Sequence, residues 1–200
     1  MTIAGLSTVV LTWHGPYSLH SGASNSVWTG PVSGLCGIYM WTVAAPRGLL
    51  CYHIGETGKP FWLRHHEHLE AFGRGECTIH RAAALAAGRR DPLHRPLTGA
   101  ADQRARLRDR FLNQKPKLDT ELRATFALLA AYLAPLGAGI RVRQRIEAEL
   151  VTRMRAAGPA SSAVLEARRG LRHRHPAEAP IRVRTAGAVM VLGLAREFEA

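Results

Sequence analysis

Cys36-Gly37-Ile38-Tyr39-Met40-Trp41-Thr42-Val43 and Leu49-Leu50-Cys51-Tyr52-His53-Ile54-Gly55 are the runs on which the fold turns. Both are rich in β-branched and aromatic residues, and the connection Ala44-Ala45-Pro46-Arg47-Gly48 carries a Pro and a Gly. Strand-prone runs joined by so short a turn-forming link predict an antiparallel hairpin.

Upstream, Thr8-Val9-Val10-Leu11-Thr12-Trp13 reads as a short strand bounded by His14-Gly15-Pro16, and the Ser-, Gly- and Asn-rich stretch 18–33 reads as a loop. Downstream of Gly58-Lys59-Pro60, residues 61–72 hold no further Gly or Pro and place Trp62, Leu69 and Phe72 at helical spacing. Residues 77–80 suit a third strand, and the basic stretch 81–117, broken by Pro92, Pro96 and Pro116, predicts short helical pieces joined by loops. Leu122, Phe126, Leu129 and Leu133 recur at three- and four-residue steps and predict a helix over 118–133. A helix over 140–157 is closed by Gly158-Pro159, and 188–192 reads as a buried terminal strand.

The expectation is an α/β (α+β) fold: a small antiparallel three-stranded sheet carrying the hairpin, flanked by helices, with extra terminal strands. Two hundred residues, 46% of them hydrophobic, fit one domain over 1–200 with a full-sized core. No run approaches the length and apolarity of a membrane span, so no membrane association is expected. Cys36, Cys51 and Cys77 are odd in number and lack close pairing, which points to a reducing, cytoplasmic setting.

Charge is the strongest compositional signal. Lys and Arg number 27 against 15 Asp and Glu, for a net +12, and no formal charge precedes Arg47. Nearly all of the cations are Arg, whose planar fork matches phosphate, which favours a nucleic-acid partner, DNA or RNA, over the membrane surface or plain solubility that basic charge alone also fits. The Arg-rich segments 104–110, 141–145 and 168–174 are candidates for phosphate contact.

Two glutamates in the late helix are separated by the advance of roughly 100° per residue. Ile140, Ile146, Leu150, Val151 and Met154 define an apolar face, and Glu147 falls in its middle. Glu149 falls well away from it, with Arg145 and Arg153 four residues to either side. A carboxylate inside a buried stripe is costly unless paired or metal-bound, so Glu147 requires a function or an ion pair, for which Arg143 is the nearest candidate. On the earlier helix, Arg64 and His68 lie four apart and share a face.

Gly37-Ile38-Tyr39 followed by His53-Ile54-Gly55 resembles the paired strands of the GIY-YIG endonucleases, with His where the second motif has Tyr. Arg64 and His68 resemble that family's R-x-x-x-H, and Ile146-Glu147-Ala148-Glu149-Leu150-Val151 resembles its late acidic helix; the likeness spans roughly 37–155. The resemblance implies a metal-dependent endonuclease that hydrolyses DNA phosphodiester bonds, with a single divalent ion, Mg²⁺ or Mn²⁺, held by Glu147. It implies that Arg64 neutralises the scissile phosphate, that Tyr39 orients or deprotonates the attacking water, and that His68 supports the phenol or shuttles the proton. His53 titrates near neutrality and is itself a candidate base, so Tyr39, His53 and His68 all remain open for that role. Tyr52, one residue earlier, is expected on the opposite face of its strand.

Many members of that family carry an Asn after the acidic helix. Here the only asparagines are Asn25 and Asn113, with Ser161 and Ser162 as stand-ins. The alternative is a non-catalytic nucleic-acid-binding module on the same fold. A zinc site among His65, His66, His68, Cys77 and His80 matches no recognised ligand spacing.

Overall fold

In the computed structural model, described over residues 7–20, 22–96, 100–166, 170–187 and 189–200, the chain is a mixed α/β protein. Nine strands, β1 Ser7–Thr12, β2 His14–Ser18, β3 Gly37–Ala45, β4 Gly48–Thr57, β5 Ile79–His80, β6 Pro92–His94, β7 Leu129–Pro135, β8 Ile181–Ala186 and β9 Glu197–Glu199, are described. The described helices are α1 Phe61–Gly73, α2 Ala82–Ala86, α3 Ala101–Leu128, α4 Ile140–Ala156 and α5 Pro159–Ser162.

The hairpin forms as expected, with Ala45 opposite Gly48 across the turn. Its sheet, however, has four strands in the order β2-β7-β3-β4, all antiparallel, so β3 is interior and β4 lies at the edge. The expected third strand at 77–80 is only Ile79–His80, paired with β6 in a separate two-stranded sheet. The strand that pairs with β3 is β7, which lies inside the stretch expected to be helical. Leu129, Ala131 and Leu133 are buried while Ala130 and Tyr132 are less so, an alternation of two that the helical spacing of the leucines masks. The preceding stretch is one 28-residue helix, α3, that accommodates Pro116 within it, rather than a set of short pieces. His14-Gly15-Pro16 belongs to β2, whose register shifts between His14 and Tyr17.

A second sheet, β1-β8-β9, joins residues near both ends of the chain. β1 runs parallel to β8, with Ser7 opposite Ile181, and β9 is antiparallel to β8. The apolar run near the end does not form a strand: Met190 is exposed, Val191 makes a single bridge to Leu49, and β9 begins only at Glu197; Ala188, which opened that expectation, lies outside the described residues.

α1 and α4 match their expected positions. α1 begins at Phe61, and its first amides are satisfied by the carbonyls of Leu35 and Ser33, 2.8 and 3.1 Å away, which stand in for a side-chain cap. Phe61, His65 and Phe72 form its buried side, whereas Trp62 is exposed. α4 starts after Gly139 and buries Ile146, Leu150, Val151 and Met154 against Ile38, Met40 and Ile54 of the hairpin and against Leu11 and Val183 of the terminal sheet. Ile140, expected on that apolar face, is exposed. No helix among the described residues is long and apolar enough to cross a membrane.

Candidate active site

The registers of β3 and β4 place Tyr39 opposite Gly55. A Cβ at position 55 would lie 2.2 Å from the Tyr39 hydroxyl oxygen and 2.4 Å from the adjoining ring carbon. Only glycine therefore lets the phenol lie across the edge strand, which gives the last residue of His53-Ile54-Gly55 a steric reason. Gly37 has a similar one, since a Cβ there would meet the Ala134 carbonyl oxygen at 2.2 Å on β7.

A register shift between Trp41 and Thr42 then changes what β4 presents. Trp41 pairs with His53 but Thr42 pairs with Cys51, so Tyr52 is the extra residue of a bulge. Consecutive residues Tyr52 and His53 consequently border the same cavity, while Cys51 and Ile54 point into the core below α4. The expected placement of Tyr52 on the opposite face is thus overturned by the bulge.

Around the Tyr39 hydroxyl, His68 Nε2 lies at 2.6 Å, Arg64 Nε donates from 3.3 Å and His53 Nε2 lies at 3.5 Å. Arg64 and His68 reach the same atom because four residues bring them to one face of α1, as the spacing predicts. Tyr39 itself has no exposed surface. Burial pushes its phenol up to about 12, with Arg64 pulling it down and the carboxylates of Glu147 and Glu56 pushing it further up. Glu147 thus acts electrostatically on the same hydroxyl from α4.

The proton inventory of the site follows from its hydrogen bonds. His53 Nδ1 lies 2.9 Å from the backbone carbonyl of Glu166, an acceptor, so Nδ1 carries the proton and Nε2 presents a lone pair toward Tyr39. Burial lowers the His53 imidazole, aided by Arg64, and the Glu166 carbonyl only partly offsets this. His68 falls to about 2, through burial and then the neighbouring His53 and Arg64. His65, wholly buried, is held down to about 4 by burial while its Nδ1 donates to the Phe61 carbonyl at 2.7 Å. Near neutral pH the site is therefore a neutral phenol between neutral imidazoles, with Arg64 as the cation against it.

Glu147 is 5% exposed on α4, whereas Glu149 forms a 2.8 Å pair with Arg153 at the surface. Arg145, the other expected partner of Glu149, instead turns inward and donates to the carbonyls of Ala179 and Ala200. Arg143 pairs with Glu56 at 3.2 Å, both nearly buried. Glu56, which sequence reasoning did not single out, is part of the site's electrostatics; its signal was its place next to Gly55 on the edge strand. Ser161 and Ser162 donate to the Met154 and Gly158 carbonyls at the end of α4, so neither stands in for the family's Asn. Asn25 bonds the Pro16 carbonyl, and Asn113 is exposed on α3.

The basic segments divide. Arg104, Arg106, Arg108 and Arg110 are exposed along α3 and remain available to phosphate, whereas 141–145 is consumed internally, with Arg141 bonded to Glu178 at 2.7 Å. Arg172 and Arg174 are exposed; Arg168 and Arg169 lie outside the described residues.

Two carboxylates, Glu147 and Glu56, act electrostatically on the one hydroxyl, with Glu56 already held by Arg143; oxygen donors of this kind suit a hard divalent cation whose coordination is completed by water and substrate. Among the described residues, no three His, Cys, Asp or Glu side chains gather as a metal-ligand group, so any ion would depend on such added ligands. Comparison with protein-family models, with curated proteins and with solved structures finds no match to this chain.

Proposed function

We propose that this chain is a metal-dependent phosphodiesterase of the GIY-YIG kind that hydrolyses DNA. The observation that carries the reading is the convergence on one hydroxyl, that of Tyr39, of Arg64, His68 and His53, with Glu147 acting on it electrostatically. Those five residues come from β3, β4, α1 and α4, and the sub-sheet β7-β3-β4 with α1 beside it is compatible with the three-stranded arrangement of that family.

In this reading Glu147 would hold a divalent ion, which when bound would supply Lewis-acid charge at the scissile phosphate. Arg64 neutralises the phosphate's growing charge, a contribution that depends on its being fixed in place before reaction. Tyr39 does not act alone as base, because its phenol is protonated far above neutral pH. It relays instead: the hydroxyl takes a proton from the attacking water as it passes its own to a neighbouring imidazole. His68 is nearest, but the His53 nitrogen facing the phenol is the one whose lone pair is fixed by the Glu166 carbonyl.

Nicking of supercoiled plasmid in Mg²⁺, absent in EDTA and reduced about a thousandfold or more in Glu147→Ala, is the expected result. Cleavage that survives the substitution overturns it. The second reading, a nucleic-acid-binding module without catalysis, is favoured by the complete burial of Tyr39. Tight DNA binding with no nicking in Mg²⁺ or Mn²⁺ selects it.

A further inference from the structure

A cavity of about 870 Å³ is not lined by Tyr39, Arg64 or Glu147; it opens beside them, and His53 and His68 form the shared wall. Its volume lies in the range of pockets that enclose a small organic ligand, and it far exceeds what one phosphate oxygen or water would need. Its inner wall is made of rings. Trp41, Tyr52 and Phe72 are buried at 1, 2 and 6% exposure, and the Trp41 ring lies 5.3 Å from that of His68. The exposed Arg90 and Arg95 stand at its mouth.

Two carboxylates line the cavity, Glu76, which is exposed and held by Arg74 at 2.7 Å, and Glu166, which faces the rings. Glu166 Oε1 accepts from His80 Nε2 at 2.9 Å, and Arg90 lies 3.9 Å from the same oxygen. A carboxylate has room for about four hydrogen bonds, so Glu166 keeps acceptor capacity beyond these. The same residue fixes His53 through its backbone carbonyl, which ties that carboxylate to the hydrolytic site.

We infer that this cavity takes one unstacked nucleobase bearing an exocyclic amino group, with the flanking phosphate delivered to Arg64. The inference rests on the proposed phosphodiesterase reading and sharpens its substrate to single-stranded or locally opened nucleic acid. The partly exposed imidazoles of His53 and His68, backed by Trp41 and Phe72, accept the π-face of a base, cationic rims accept the backbone, and a carboxylate accepts the amino N–H of cytosine while repelling the O4 of thymine. A base within a continuous duplex cannot enter such a recess without leaving its stack.

Binding is measured in EDTA, so the result does not depend on hydrolysis. Fluorescence anisotropy compares oligonucleotides of about ten nucleotides that are all-dC, all-dT or abasic, a length such grooves cover. The full chain should bind dC about tenfold more tightly than the abasic strand, with dT between. Glu166→Gln should bring dC and dT together. Thr78→Trp, which fills the cavity from a partly exposed wall residue, should make all three strands equal at the abasic affinity.

A chemical readout needs no variant. Cys77 lines the cavity and is partly exposed, and burial raises its thiol to about 11, so alkylation is followed at about pH 9. Oligo-dC should slow modification of Cys77 about tenfold, the abasic strand should not, and Cys36 should react unchanged. Equal affinity for dC and abasic strands in the unaltered protein, or no protection of Cys77, overturns the inference. Base preference without nicking would leave the pocket standing and remove the nuclease reading; nicking without base preference would do the reverse.

Discussion

The two faces of the four-stranded sheet differ in what they ask of the same hairpin. Ile38, Met40 and Ile54 point toward α4 and the terminal sheet, joining Leu11, Ile146, Leu150 and Val151 in a largely aliphatic layer. Tyr39, Trp41 and Tyr52 point the other way, into a layer of rings shared with Phe61, Phe72 and the histidines of α1. Apart from Glu147 on α4 and the buried Cys51 thiol, the first layer is apolar and its contribution is burial. The second places neutral imidazoles, a phenol and a guanidinium within reach of one another, at the expense of desolvating each. Division of labour between the faces predicts that substitutions of the aliphatic residues change stability, whereas substitutions in the ring layer, and of Glu147, change turnover.

The largest effect is expected from Ile146→Ala on the aliphatic side, where complete burial makes the loss about 4 kcal/mol by urea unfolding, with nicking by the folded fraction unaltered. A comparable loss of specific activity at unchanged stability would break the division. Arg64→Ala should do the opposite. Its side chain is one-third exposed, so folding is little affected, while kcat falls about a hundredfold, about 3 kcal/mol of barrier.

A smaller effect separates the faces by pH. His65 and His68 have folded values of about 4 and about 2, below the ordinary value near 6.5 that applies to the unfolded chain. The unfolded chain then binds more protons as pH drops, so their stabilising contribution is full above about pH 6.5 and erodes below it. For His65 the erosion stops near pH 4, and for His68 it continues toward 2. Each adds a slope on the order of 1 kcal/mol per pH unit, read as a falling urea midpoint between about pH 7 and pH 5. A flat profile there would mean that water reaches the ring layer. The smallest change is expected from Glu149→Ala, which removes a surface pair with Arg153 and should alter stability by less than about 0.5 kcal/mol and nicking not at all.

What the sequence disclosed follows the same physics. The hairpin was legible because Pro46 and Gly48 mark its turn, and α4 because Glu147 and Glu149 separate cleanly at helical spacing. Arg64 and His68 were legible for the same reason, one helical turn bringing both to the Tyr39 hydroxyl. β7 was not, since Leu129 and Leu133 satisfy a helical period and a strand period alike, and only pairing with β3 decides between them. The bulge at Tyr52 was equally hidden: alternation along a strand is local, whereas an extra residue is defined by its partner. Glu166 escaped notice because it holds His53 through a backbone carbonyl, which every residue has.

The terminal sheet has a temporal meaning as well. β1 is among the first described residues, yet its partner β8 lies more than one hundred and seventy positions later, at Ile181 opposite Ser7. α4 is clamped between that sheet and the hairpin, with Arg145 bonded to the carbonyls of Ala179 and Ala200 and Arg153 stacked over Phe198. Long-range pairings of this kind close late, after the loop entropy between them has been overcome. The helix that carries Glu147 therefore reaches its final seat only once β8 has paired with β1 and β9 has closed on β8.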